Sequence, residues 1–309
     1  MRRSLIAIVT ACAALIVAAA PAAAVTKNYR PDPDHTFVGL IAFYDSDWVF
    51  QHRCTGELLT PTVVLTAGHC TDDGNGGVNA HARIWVLQDV GSHFDGTVDP
   101  QTGYPNSCTG TLGDGIAGGW CAESDTMYNY GFDNFAGFPD IHDTGIVILD
   151  TPIDVNEFGE LAGDGTVDTL IKARGTQDVT MRVSGYGLSY RLLTPPRQGG
   201  GTPASYTISY RVRLQADMNF INLTSANTDG YSIIAEGNGE DKGGACNGDS
   251  GGPIFWPANT NQIVAVNSWG ILNAGCRGWG ASYRTDRQDV LNWIESVTGS
   301  EWDDIIVND

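Results

Sequence analysis

Short runs rich in valine, isoleucine, tyrosine and phenylalanine recur along this chain between clusters of glycine, aspartate and asparagine. Several runs alternate apolar and polar residues, which is the period of a half-buried antiparallel strand. The runs are 37–44, 57–65, 82–87, 144–149, 179–185, 206–214 and 262–269. The 39 glycines show no G-X-Y period. This pattern excludes a collagen and predicts a turn-rich, all-β protein.

A helical pattern is found only near the C-terminus. The apolar positions that share one helical face there, at a period of 3.6 residues, are Val290, Leu291, Trp293, Ile294 and Val297. Thr285 or Asp286 can cap this helix. We therefore predict a single long helix over residues 286–298.

The first 24 residues have the organisation of a secretory signal peptide. Arg2 and Arg3 precede an apolar stretch, and the alanines at 22–24 offer a small-residue cleavage site. An uncleaved anchor helix is the alternative, and the lack of a stop-transfer flank argues against it. We expect a secreted, extracellular protein.

The chain is strongly acidic, with 17 basic against 36 acidic residues and a net charge of −19. Nucleic acids and anionic membrane surfaces would repel such a chain. Neither is therefore expected as a partner.

Seven cysteines are present, and Cys12 falls in the predicted signal peptide. The six that remain, in an oxidising compartment, predict three disulfides. Six cysteines allow 15 pairings, so spacing alone does not select one. A bridge from Cys108 to Cys121 would brace the long glycine-rich stretch 91–121. Metal ligation is the alternative, but the sequence contains no C-x-x-C pair.

Three residues have the chemistry of a nucleophilic hydrolase. Ser250 lies in GDSGGP (248–253), where flanking glycines let backbone N–H groups converge on one point. Among six histidines, only His69, in TAGHC (66–70), has small neighbours and a cysteine to hold its turn. Asp143 opens the apolar run DTGIVIL (143–149), which would present its carboxylate at the mouth of a strand. A serine needs such a base, and the base needs such an acid to orient it.

With these motifs in the order His69, Asp143, Ser250, and with SWG at 268–270, the chain resembles the trypsin/chymotrypsin family of serine endopeptidases. The resemblance covers about residues 36–300. It implies two six-stranded antiparallel β-barrels, roughly 25–155 and 156–285, followed by the C-terminal helix. Residues 25–309 would form one protease domain, acting on protein or peptide substrates as a monomer.

The resemblance also implies the roles of individual residues. Ser250 would attack the peptide carbonyl, His69 would carry the proton, and Asp143 would orient the histidine. The N–H groups of Gly248 and Ser250 would hold the oxyanion. The residues expected to bind substrate are Gly244, Ser268, Trp269 and Gly270. The implied disulfides are Cys54–Cys70, Cys108–Cys121 and Cys246–Cys276.

Two departures from the family qualify this interpretation. Gly244 stands where Arg/Lys-cleaving members carry an aspartate, so we expect a preference for uncharged side chains. The chain has no IVGG motif at an activation site. Either Val25, freed by signal cleavage after Ala24, takes the place of the activating N-terminus beside Asp249, or Asp249 is held in another way.

An α/β-hydrolase, an esterase and a binding protein are the alternatives to an endopeptidase. An α/β-hydrolase needs a histidine after the serine, and the last histidine here is His142. An enzyme acting mainly on esters and a non-catalytic binding protein with the same fold remain as alternatives. No cofactor or metal is expected. Asp72, Asp73 and Asn75 offer oxygen ligands that suit Ca²⁺. We favour the other interpretation of this loop, a solvated turn without a metal.

Overall fold

The structure, a computed structural model, describes residues 25–90, 97–108, 119–171, 178–192, 205–208, 211–237, 241–273 and 276–308. The predicted signal peptide, 1–24, lies outside these residues. Among the described helices, none is both long enough and apolar enough to cross a bilayer.

Eight strands come first along the described chain. They are β1 (Arg30–Pro31), β2 (Val38–Tyr44), β3 (Phe50–Leu58), β4 (Val63–Thr66), β5 (His81–Trp85), β6 (Cys121–Ser124), β7 (Thr126–Asn129) and β8 (Gly145–Ile148). All but β1 form one antiparallel sheet in the order β6-β5-β2-β3-β4-β8-β7. Only Asp125 separates β6 from β7, and these two strands pair with β5 and β8 at opposite edges. The sheet is therefore a nearly closed barrel.

Ten further strands follow. They are β9 (Glu160–Ala162), β10 (Thr180–Gly185), β11 (Ser189–Leu192), β12 (Ser205–Ile208), β13 (Leu214–Asn222), β14 (Ser232–Glu236), β15 (Pro253–Phe255), β16 (Gln262–Asn273), β17 (Arg277–Arg284) and β18 (Val307–Asn308). Six of them close into a ring, β15-β10-β13-β14-β17-β16, because β15 also pairs with β16. The two-barrel fold implied by the resemblance is thus confirmed.

Two helical segments matter for the site and the C-terminus. A short helix, α1 (Gly68–Thr71), follows β4, and the long C-terminal helix is α2 (Gln288–Thr298). The helix begins at Gln288 rather than at the predicted 286. Neither proposed residue caps it, because Arg287 is the N-cap and the Asp286 carboxylate is bonded to Arg284 and to the Val167 N–H.

Two of the apolar runs span more than one strand. In the run 57–65, a turn closed by the Leu59 N–H on the Val63 carbonyl separates β3 from β4. Residues 206–214 also do not form one strand: β12 ends at Ile208 and β13 begins only at Leu214. The run 57–65 continues through a change of chain direction, so its composition hides the turn.

The first described residues belong to the second barrel, although the predicted division placed them in the first half. Val25 is fully buried in the second core, and Thr26 forms a bridge with Gly244. In β1, Arg30 pairs with Gln215 of β13. The segment is held against the second barrel because the Val25 side chain is buried in the core of that barrel.

Three disulfides join the six described cysteines as the resemblance implies: Cys54–Cys70, Cys108–Cys121 and Cys246–Cys276. The first links β3 to α1, so it holds the segment that carries His69. The third lies beside a pocket in the second barrel, to which both of its cysteines contribute.

Candidate active site

His69 is positioned by the tight junction between β4 and α1. A Cβ on Gly68 would lie 3.1 Å from the Phe132 Cβ and from the Thr144 backbone, so only glycine fits before the histidine without displacing them. Cys70, directly after it, is tied to Cys54. The predicted small-residue context therefore has a steric reason.

Asp143 lies just before β8 and is fully buried. Its Oδ2 lies 2.9 Å from Nδ1 of His69, and its Oδ1 accepts the His69 backbone N–H at 2.7 Å. The Ser268 hydroxyl donates a short hydrogen bond to Oδ2. The carboxylate thus holds His69 through one contact to the ring and one to the backbone, and Ser268 holds the carboxylate.

Asp143 and His69 shift each other's pKa values. Burial would raise the pKa of Asp143, but the charge of His69 and the hydrogen bonds from His69 and Ser268 outweigh burial and lower it. Burial would lower the pKa of His69, but the Asp143 carboxylate outweighs it and raises that pKa above 6.5. The pair therefore stabilises an imidazolium beside an ionised aspartate.

Ser250 lies in a turn that glycines make sterically possible. Gly248 and Gly251 have φ values of 97° and 78°, which side chains rarely adopt. A Cβ on Gly251 would lie 2.1 Å from the Thr66 hydroxyl. The Ser250 carbonyl accepts the Thr55 N–H at 2.8 Å, which fixes the turn against the first barrel.

The backbone around Ser250 leaves two donors unused. The Asp249 N–H donates to Cys246 and the Gly251 N–H donates to Asn267. Within the described residues, the N–H groups of Gly248 and Ser250 donate to no protein acceptor. Unused N–H groups flanking a serine are what an oxyanion site requires.

Ser250 and His69 line the same cleft, about 810 Å³ in volume, between the two barrels. No hydrogen bond joins the Ser250 hydroxyl to His69 in the described structure. Contacts between a nucleophile and its base are often long without substrate and shorten when substrate binds.

A second cavity, of about 280 Å³, opens beside Ser250; we call it the specificity pocket. It brings together the four residues that were expected to bind substrate: Gly244, Ser268, Trp269 and Gly270. Among its described lining residues none carries a charge. Asn247 and Ser250 line both cavities, so the pocket opens into the cleft.

The structure adds two residues that sequence reasoning missed. Phe132 lies against His69, with ring centroids 5.8 Å apart, and lines the cleft. Asn267 lines the specificity pocket, one residue before the SWG motif. The position of Asn267 next to that motif could have identified it as a pocket residue from the sequence. No sequence signal pointed to Phe132.

In the loop considered for Ca²⁺, the aspartate carboxylates accept hydrogen bonds from backbone N–H groups of the same loop. Asp73 Oδ1 accepts the N–H groups of Asn75 and Gly77, and Asp72 Oδ1 accepts the Gly74 N–H. These contacts lower the pKa of Asp73. The only group of metal-ligand type found among the described residues is Cys54, His69 and Cys70, and its two sulfurs are joined in a disulfide.

Two barrels with a histidine–aspartate pair and a glycine-flanked serine in the cleft between them are characteristic of a chymotrypsin-like protein. A sequence model of the trypsin family matches residues 132–294. The chain belongs to the trypsin family of serine proteases.

Its curated relatives are distant. It is 25% identical over 255 residues to fibrinolytic enzyme, isozyme C, of Lumbricus rubellus, covering 79% of this chain and 88% of the relative. It is also 25% identical over 232 residues to trypsin zeta of Drosophila erecta, covering 72% of this chain and 66% of the relative.

Solved structures share the fold. HL collagenase matches with a TM-score of 0.54 at 16% identity, covering 86% of this chain and 94% of the other. A Glu endopeptidase matches with a TM-score of 0.53 at 14% identity, covering 87% and 95%. A scabies mite inactivated protease paralogue matches with a TM-score of 0.50 at 15% identity, covering 85% and 93%.

Proposed function

We propose that the protein is a secreted serine endopeptidase that cleaves peptide bonds through an acyl-enzyme on Ser250. The observation that carries the proposal is the contact of His69 Nδ1 with the buried Asp143, in a cleft that Ser250 shares. The fold alone is not sufficient, because an inactivated protease paralogue also adopts it. Activity therefore depends on the residues in the cleft.

The proposed reaction follows from the positions of these groups. His69 Nε2 accepts the Ser250 proton as the hydroxyl oxygen attacks the substrate carbonyl. The N–H groups of Gly248 and Ser250 donate to the oxygen that becomes negative. His69 then protonates the leaving amine, and water repeats the two steps on the acyl-enzyme.

The specificity pocket supports cleavage after uncharged side chains. Gly244 lines it, and none of its described lining residues is acidic. An arginine or lysine side chain would be desolvated there without an opposite charge.

Secretion is supported by the predicted signal peptide and by three disulfides, which persist in oxidising compartments. We further infer that cleavage after Ala24 activates the protein. Val25 is fully buried and its carbonyl accepts the Ser189 hydroxyl at 2.7 Å. The new amine would supply a cation for Asp249, which has no ion-pair partner among the described residues.

The test is to treat the purified, processed protein with a fluorophosphonate and to measure peptide hydrolysis. Ser250→Ala should abolish labelling and lower turnover by roughly a millionfold. Ser296→Ala, on the exposed side of α2, is the matched control and should retain both activities. Absence of labelling in the native protein would contradict the proposal.

A further inference from the structure

The specificity pocket contains two polar side chains that lie on adjacent strands. Asn267 of β16 and Ser282 of β17 are cross-strand partners, and both line the pocket. Directly opposed residues project to the same face of a sheet, with Cβ atoms about 4.5–5.5 Å apart. The two groups therefore form one polar patch on the pocket wall.

Both residues are more than nine-tenths buried, with 8% of Asn267 and 4% of Ser282 exposed. The Asn267 Oδ1 lies 4.0 Å from the place that a Cβ would take on Gly280, another pocket residue, so the amide is part of the pocket wall. The amide group is thus available to whatever side chain enters.

Within the described residues, neither the Asn267 amide nor the Ser282 hydroxyl has a hydrogen-bond partner. The main chain of Asn267 is already used, since its N–H donates to Gly252 and its carbonyl accepts from Gly251. Neither side chain is among the fully enclosed polar groups that lack a partner, so both polar groups open onto the pocket. A substrate side chain that fills the pocket must therefore either pair with this amide and hydroxyl or remove them from water unpaired.

We propose that Asn267, assisted by Ser282, makes this protein select a carboxamide side chain, such as that of glutamine, directly before the cleaved bond. The inference rests on the proposed endopeptidase function. A carboxamide offers one acceptor and two donors, so it can pair with both the N–H and the oxygen of the Asn267 amide.

Other side-chain classes fit the pocket less well. An apolar side chain would desolvate Asn267 and Ser282 without pairing them. A charged side chain would meet no opposite charge among the described lining residues. A phenol offers a single hydroxyl, which leaves part of the Asn267 amide unpaired.

The test compares peptides that differ only in the residue before the cut: glutamine, its near-isostere methionine, glutamate, lysine and tyrosine. We expect kcat/KM for glutamine to exceed that for methionine by about tenfold to a hundredfold, the cost of leaving buried polar groups unpaired. A native preference for methionine, tyrosine or a charged residue would overturn the inference.

Two variants test the residues. Asn267→Leu should reverse the glutamine-to-methionine ratio, and Ser282→Ala should reduce the ratio in the same direction by less. Asn292→Leu, on the exposed part of α2, is the matched control and should keep the native ratio. Because the readout is a ratio on one preparation, partial unfolding of a variant does not imitate the result. A ratio unchanged in both pocket variants would refute the assignment.

A fluorophosphonate separates the two possible failures. Native protein that is labelled but does not prefer glutamine refutes the carboxamide preference alone. Native protein that is neither labelled nor active on any peptide contradicts the proposed function, and the inference with it.

Discussion

Asp143 contacts His69 twice, through the imidazole Nδ1 at 2.9 Å and through the backbone N–H at 2.7 Å. The second contact does not depend on the histidine's protonation state, so the carboxylate holds both the ring and the chain segment that carries it. The Ser268 hydroxyl donates to the same carboxylate from the second barrel. A single buried acid therefore connects both barrels at the cleft.

The first prediction concerns this acid. Asp143→Asn should lower kcat by about 10⁴-fold, because an amide favours the wrong imidazole tautomer and does not stabilise the imidazolium. The measurement is peptide hydrolysis under saturating substrate, with thermal unfolding recorded in parallel. Asp150→Asn, at the other end of the same strand segment, serves as the control. An Asp143→Asn variant that keeps near-native kcat would remove His69 and Asp143 from the mechanism.

The second prediction concerns pH. Only neutral His69 can accept the Ser250 proton, and the Asp143 charge raises the His69 pKa above 6.5. Activity should therefore fall as the pH is lowered, with a midpoint above 6.5. The kcat/KM profile of the native protein measures this midpoint. In Asp143→Asn the residual activity should persist to lower pH, since the charge that raises the pKa has been removed. A midpoint that does not move would indicate that another group controls the profile.

The third prediction concerns Asp249. Its carboxylate accepts the N–H groups of Gly187 and Cys246, but burial still raises its pKa to about 7 from 3.8. In a chain that still carries residues before Val25, the contribution of Asp249 to the free energy of unfolding is fully present below pH 3.8. It is lost as the pH rises through about 7. A chain that begins at Val25 should lose less stability as the pH rises, because its N-terminal amine compensates the negative charge of Asp249.

The comparison is urea unfolding of both forms between pH 4 and pH 8, with N-terminal sequencing of the active protein. We expect the active form to begin at Val25 and to show the weaker pH dependence. Equal pH dependence in the two forms, or an active protein whose first residue lies well beyond Val25, would exclude this form of activation.

The fourth prediction concerns Glu57, inside the first barrel. Glu57 is fully buried and neither carboxyl oxygen has a hydrogen-bond partner. Burial raises its pKa well above 4.5, so the folded chain holds this proton to a higher pH than the unfolded chain does. The unfolded chain releases this proton at lower pH, so stability is lost progressively as the pH rises above 4.5.

Glu57→Met removes the unpaired group at similar volume and should stabilise the fold by about 1–3 kcal/mol at neutral pH. Urea unfolding at pH 5 and pH 8 should show a larger gain at the higher pH. Glu295→Met, on the exposed face of α2, is the control and should change stability little at either pH. A destabilised Glu57→Met would mean that the carboxyl group has a partner in solution.

The sequence by itself determined the family, the all-β class and the residues of the candidate site. These were readable because TAGHC and GDSGGP are short, contiguous motifs, although the atoms that exclude a side chain at Gly68 and Gly251 come from distant segments of the chain. Strand ends were less readable, since the apolar run 57–65 continues through a turn that only the pairing of β3 with β4 reveals.

Tertiary structure decided what depends on residues far apart in the chain. The segment that begins at Val25 joins the second barrel through Thr26, which pairs with Gly244, 218 residues further along the chain. Asn267 lies next to the SWG motif in the sequence, but only the pairing of β16 with β17 brings Ser282 beside it. Whether a polar group is buried and unpaired is a property of its surroundings, and the folded chain alone supplies those surroundings.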